Sequence, residues 1–201
     1  MPAMCGRFAN SETIPVMAGR WAAQVASGAE AWEPNTDIRP TRRVPVLLEG
    51  PAERPRRLGL MTWGWSRDFA SSGKLINARI EDAAGKRTFA EAVQRRRCLL
   101  PATAWFEWKR ADPEAKRGAK HLLRPEGLET WAMAGLWEST PEGGCIVVLT
   151  TAAHASIADI HDRMPVVLTP ERATAWITGS AESALALAIA VPALGKADPP
   201  T

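Results

Sequence analysis

Thr130-Trp131-Ala132-Met133-Ala134-Gly135-Leu136, the turn Pro141-Glu142-Gly143-Gly144, and Cys145-Ile146-Val147-Val148-Leu149-Thr150-Thr151 form the stretch whose reading decides the fold. The flanking runs are short, apolar and supplied with β-branched or aromatic side chains, and the intervening Pro and Gly break any helix. The stretch therefore reads as two strands and a turn. His121 to Leu123, ahead of the turn signal Pro125-Glu126-Gly127, adds another strand. Upstream, Val44 to Leu48 and Arg57 to Trp63 read as strands around Gly50-Pro51, and Cys98-Leu99-Leu100-Pro101 and Trp105-Phe106-Glu107-Trp108 have the same character. Helical spacing is confined to short pieces. Thr13 to Ala26 places Ile14, Met17, Trp21 and Val25 on one face, Thr88 to Arg96 and Ala153 to Ile160 follow, and two helices begin at Thr169-Pro170-Glu171 and at Ser180. Trp63-Gly64-Trp65 opens a loop to Leu75, so Asn77-Ala78-Arg79 is expected to emerge from a loop. The class is α+β with a mainly antiparallel, barrel-like sheet and peripheral short helices. Residues 1–196 are expected to form one domain, with Ala197 to Thr201 a disordered tail.

At 201 residues the chain is long enough to bury a core without staples. Cys5, Cys98 and Cys145 are widely spaced and odd in number, which suggests neither a disulfide framework nor a zinc site. No metal and no cofactor is expected. No apolar run spans a bilayer and no secretory signal is evident, so a soluble cytoplasmic protein is expected. The net charge of +3 conceals an asymmetry: residues 1–120 hold 21 Lys and Arg against 13 Asp and Glu, whereas residues 121–201 hold 4 against 9. Arg39, Arg42, Arg43, Arg54, Arg56 and Arg57, then Lys86, Arg87, Arg95, Arg96 and Arg97, carry the excess. Such a distribution suits a surface that meets phosphates, and Trp63, Trp65, Trp105 and Trp108 lie near it as candidates to stack on unpaired bases. Solvated arginines and core tryptophans are the competing reading.

Met4-Cys5-Gly6-Arg7-Phe8 places a cysteine near the start. As a first residue it would be a 1,2-aminothiol, whose amine and thiol both have a usable deprotonated fraction near neutral pH. Such a pair condenses with an aldehyde to an imine, releasing water, and the thiol then adds to the imine carbon to close a thiazolidine. The thiol could instead act as a nucleophile with the amine as base. Either chemistry requires that Met1 to Met4 be absent; the competing reading is a small buried cysteine.

Three further positions carry candidate chemistry. Period-2 alternation puts Trp105, Glu107 and Lys109 on one strand face, where a carboxylate against tryptophan is disfavoured in its charged form. Pairing of Glu107 with Lys109 or Arg110 is the alternative. His161, in Ile160-His161-Asp162-Arg163-Met164-Pro165, is a proton shuttle or a helix-end histidine. Asn77 and Arg79 offer an amide and a guanidinium, or an Asx-turn. His154 and His121 have weaker surroundings.

The ordered set Met4-Cys5-Gly6-Arg7-Phe8, Trp63-Gly64-Trp65, Asn77-Ala78-Arg79-Ile80-Glu81, Arg97-Cys98-Leu99-Leu100-Pro101-Ala102, Phe106-Glu107-Trp108, Ala134-Gly135-Leu136-Trp137 and His161-Asp162-Arg163-Met164-Pro165 closely resembles the SOS response-associated peptidase family. The resemblance covers residues 4 to about 178. It implies a monomer that recognises abasic sites in single-stranded DNA and bonds to them through a terminal cysteine, nucleoid-associated when bound. The family name records a peptidase activity, the alternative function, by which Cys5 would be unmasked. By position Cys5, Asn77, Glu107 and His161 resemble the family's active-site residues, and Arg7, Trp65, Arg79 and Arg163 resemble its DNA contacts.

Overall fold

The computed structural model describes residues 6–50, 55–70, 73–109, 118–188 and 194–197. In chain order the strands are β1 (Phe8–Asn10), β2 (Ala23–Val25), β3 (Asn35–Ile38), β4 (Arg43–Leu48), β5 (Arg56–Trp63), β6 (Trp65–Ser66), β7 (Lys74–Leu75) and β8 (Asn77–Arg79). They continue as β9 (Arg97–Pro101), β10 (Ala104–Lys109), β11 (Ala119–Pro125), β12 (Ala132–Thr140), β13 (Gly143–Ala152), β14 (Arg163–Pro165), β15 (Val167–Leu168) and β16 (Leu194–Ala197). The helices are α1 (Ile14–Arg20), α2 (Ile80–Ala83), α3 (Ala90–Arg95), α4 (Pro170–Thr178) and α5 (Ala181–Ala188).

Five strands close on themselves. β12 pairs antiparallel with β13 and β9, β9 with β4, and β4 with β5. The parallel pairing of β5 with β13, Thr62 opposite Cys145 and Trp63 opposite Ile146, completes the ring. Closure leaves no open edge among these strands. A second, five-stranded sheet runs in the order β16-β11-β10-β1-β3. The fold is α+β and mostly antiparallel, as the sequence implies.

Alternation along the barrel strands divides the core in two. Val44, Val46, Trp63, Cys98, Leu100, Met133, Ile146 and Val148 pack with Phe8, Ile38, Trp105 and Leu123 of the second sheet. The intervening Leu47, Leu58, Leu99, Ala134, Leu136, Val147 and Leu149 pack instead with residues of the helices, among them Ile14, Met17, Val93 and Trp176. Gly135 belongs to the first set by parity. A Cβ there would lie 2.6 Å from Leu100 Cδ1 and 3.0 Å from both Cys98 Sγ and the Val147 carbonyl oxygen, so close packing requires glycine.

Several elements differ from their sequence reading. The helix expected over Thr13 to Ala26 stops at Arg20, Ala22 turns at a φ of 47°, and Ala23–Val25 pairs in parallel with Arg56 to Leu58. Strand pairing overrides the apolar spacing that Val25 shares with the helix. Asn77–Arg79 is a short strand parallel to β13 rather than loop. Ala153 to Ile160 contains only a 3₁₀ turn, Ala155–Ile157, capped by His154. Leu194–Ala197 adds an edge strand on β11, and residues 198–201 lie outside the described residues.

Candidate functional site

Glu107 sits on β10 and is only 2% exposed. Its strand neighbour Trp105 joins the cluster of Phe8 and Leu123, whereas Phe106 packs with Ala9 and Ala104, with Trp108 against them. Glu107 thus shares the Trp105 face, as alternation requires. β1 runs antiparallel to β10 with Phe8 opposite Trp105, and the Phe106 N–H donates to the Arg7 carbonyl at 3.0 Å. Continuing that register sets Gly6 beside Glu107. Cys5, the next residue outward, lies outside the described residues. Arg7 is fixed by Asp37, Nε to Oδ1 2.9 Å, and its guanidinium lies 5.4 Å from the Trp108 ring centroid.

Asn77 and Arg163 are held on opposite flanks of one strand. β13 pairs Val148 with Asn77 and Thr150 with Arg79 on β8, and Thr150 with Pro165 and Ala152 with Arg163 on β14. Arg163 spans the strand: Nη1 and Nη2 each lie 2.8 Å from an oxygen of Glu81, and Nη2 also donates to the Thr150 carbonyl at 2.7 Å. Those bonds hold the Glu81 carboxyl below its ordinary range, against the opposing effect of burial. His161 Nδ1 accepts the Arg163 backbone N–H at 3.0 Å and lies 3.0 Å from Asp162 Oδ1.

The two halves meet through a third contact. Lys109 on β10 pairs with Asp159, Nζ to Oδ2 2.7 Å, in the loop that ends at His161. Ile157 and Ile160 of that loop share a core cluster with Trp105 and Val148. Asn77, Glu107 and His161 are therefore carried by elements packed around one core. A cavity of about 380 Å³ opens beside Asn77, lined also by Arg79, Lys86, Thr150 and Phe69, whose ring is 70% exposed. A hollow of about 790 Å³ is lined by Trp32, Asp37, Arg39, Arg42 and Arg43.

Two residues read as DNA contacts have groups engaged within the chain. Trp65 is 1% exposed, its indole N–H donates to the Cys145 carbonyl at 3.1 Å, and Phe89 and Arg67 lie against its ring. Trp63 and Trp105 are equally buried. Arg163 has both terminal nitrogens bonded to Glu81 and Thr150, with a side chain 12% exposed. Arg97 likewise leaves the basic surface: it donates to the carbonyls of Trp176, Val93 and Gly179 and joins β9 to α3 and α4.

The model of the SOS response associated peptidase (SRAP) family matches residues 4–196. The chain belongs to this family. Among SRAP relatives, it is 33% identical to the abasic site processing protein YedK of Escherichia coli over 94% of this chain and 88% of that one. It is 32% identical to the abasic site processing protein YoqW of Bacillus subtilis over 87% and 80% of the two chains. Among solved structures it resembles a protein from Bacteroides thetaiotaomicron, with a TM-score of 0.78 at 19% identity over 92% of this chain and 87% of that one. A phage-related protein from Bordetella bronchiseptica gives 0.75 at 23% identity over 97% and 95%. These last two show the fold.

The SRAP motifs read in the sequence are joined physically. Arg163 of the His161 motif grips Glu81 of the Asn77 motif, and Arg7 of the first motif lies over Trp108 of the Glu107 motif. Sequence reasoning missed Phe69 and Thr150, and read Lys86 only as part of the basic excess. Phe69 lies in a stretch read only as loop, and a single exposed aromatic there has no periodic signal. Among the described residues no group of three or more His, Cys, Asp and Glu could hold a metal, and no helix is long and apolar enough to cross a membrane.

Proposed function

We propose that this protein captures abasic sites in single-stranded DNA by covalent attachment through Cys5, made the first residue by loss of Met1 to Met4. The observation that carries the reading is the β1–β10 register, which sets Gly6, the residue after Cys5 in the sequence, beside the buried Glu107. The names of the relatives, abasic site processing proteins, support the same substrate. An abasic deoxyribose in open form presents an aldehyde. The neutral Cys5 amine attacks C1′, water leaves to give the imine, and the thiol adds to the imine carbon to close the thiazolidine. Ring closure is intramolecular and gains from proximity.

Glu107 takes the proton that the Cys5 ammonium must lose before attack and returns it to the departing hydroxyl. His161 serves as acid and base at the sugar oxygen, and Asn77 orients that oxygen by its amide. Arg7 and Arg79 meet phosphates. Phe69 stacks on a base, because its exposed side chain borders the Asn77 cavity beside Arg79 and Lys86. The test is incubation of the Cys5-start protein with an abasic single-stranded oligonucleotide. An adduct that survives denaturation and is absent in Cys5→Ala supports the reading, and no adduct overturns it.

The family description names a peptidase, and the second reading is cleavage of the chain's own first residues with Cys5 as nucleophile. Loss of residues 1–4 from the full-length chain, abolished by Glu107→Ala, would support that second activity. Retention of the four residues on purified protein would count against it.

A further inference from the structure

His121 stands opposite Glu107 in the β10–β11 ladder. Directly opposed residues on neighbouring strands project to the same face with Cβ atoms about 4.5–5.5 Å apart. The next pair along, Trp105 with Leu123, confirms the face, since both belong to the cluster beneath the site. His121 Nε2 is buried and has no hydrogen-bond partner. An imidazole nitrogen withdrawn from water without a partner is costly, and each such atom calls for an account. The charged and titratable groups on the surrounding elements narrow that account. Lys109 on β10 is engaged by Asp159, which leads to Asp162 and His161, and Lys120 and Arg124 occupy the opposite parity on β11, with Lys120 4.0 Å from the Phe106 ring centroid. On β16, Lys196 is in register with Leu123. Glu107 is the ionisable residue directly across from the unpartnered nitrogen.

We propose that His121 is a positioning residue for Glu107, its imidazole holding the carboxylate in the charged, proton-accepting form. The inference rests on the function proposed above and adds a group to its proton path. Opposed across one ladder pair, the two side chains lie within reach of each other, and Nε2–H of the ring donates to a carboxylate oxygen. An added donor on that oxygen favours the anion, against the effect of burial, and so favours release of a captured proton to the departing hydroxyl.

Two measurements test this together. The first follows the His121 Nε2–H proton by NMR in the Cys5-start protein without DNA, alongside Glu107→Ala. The expected result is a ring proton protected from solvent exchange that exchanges at least about tenfold faster in Glu107→Ala; an unchanged exchange rate overturns the pairing. The second measures adduct formation against pH in His121→Leu and in His121→Gln, whose amide can donate in the imidazole's place. The low-pH limb is expected to move upward in His121→Leu and to return toward the original in His121→Gln, because the carboxylate loses a donor and then regains one. A rate lowered equally at every pH would mark a structural role and overturn the inference. If the unsubstituted protein forms no adduct, the proposed function fails, and the positioning role in it fails too, while the exchange measurement still decides whether the two side chains are bonded.

Discussion

Arg163 and Glu81 face each other through two parallel bonds of 2.8 Å, and the pair ties β14 to α2 across the end of β13. Arg163 is the more enclosed partner, at 12% side-chain exposure against 41% for Glu81. Loss of Glu81 therefore strands a buried guanidinium. Glu81→Gln should cost about 1–2 kcal/mol in a denaturant titration at neutral pH, the upper range for charged bonds being reduced by the carboxylate's exposure.

The same pair gives a pH dependence of known sign. Glu81 has a folded pKa below its unfolded value, so its stabilisation is complete above the unfolded value, about 4.3, and is lost as pH falls through the folded one. Stability attributable to Glu81 should be flat from pH 7 to about 5 and decline below about 4, with Glu81→Gln lacking that component of the decline. Chemical denaturation at several pH values measures it.

Gly135 should tolerate no side chain. Its Cβ position meets Leu100, Cys98 and the Val147 carbonyl, so Gly135→Ala should destabilise by about 1–3 kcal/mol by thermal or chemical melt. A variant as stable as the original would show that the barrel relaxes there.

The thiols should separate by reactivity. Burial pushes the Cys145 thiol up to about 12, with Glu138 adding to the shift, and burial raises Cys98 further. Neither offers thiolate at neutral pH. Alkylation of the folded Cys5-start protein at pH 7.5 should modify Cys5 alone, and guanidinium should expose all three; peptide mass analysis distinguishes these outcomes.

The arginines and aromatics should also separate. Phe69→Ala should weaken single-stranded DNA binding by about 1–3 kcal/mol with little change in stability, whereas Trp65→Ala should chiefly destabilise the fold. Arg79→Ala should lower the salt slope of binding by about one, while Arg97→Lys should leave it unchanged and lower stability. Binding titrations at several salt concentrations, with melts of each variant, check all four.

How much of this was legible in the sequence depends on the length scale of each signal. The strand runs around Gly135 and Val147 were readable because alternation and turn residues are local, and so was the face shared by Trp105 and Glu107. Closure of the barrel was not. It rests on Trp63 meeting Ile146, a parallel contact between residues 83 positions apart that neither segment encodes by itself. The same limit applies to Trp65 and Arg163, whose bonds to Cys145, Glu81 and Thr150 join separate segments of the chain. His121 had no motif of its own and gained meaning only from its register with Glu107.

The central claim is tested most directly by intact mass spectrometry of the Cys5-start protein after incubation with an abasic single-stranded oligonucleotide. The account predicts a species at the summed mass of protein and oligonucleotide less one water, with the oligonucleotide mapped to Cys5 and the species missing in Cys5→Ala. Unmodified protein alone, or an adduct mapped to any residue other than Cys5, would contradict it.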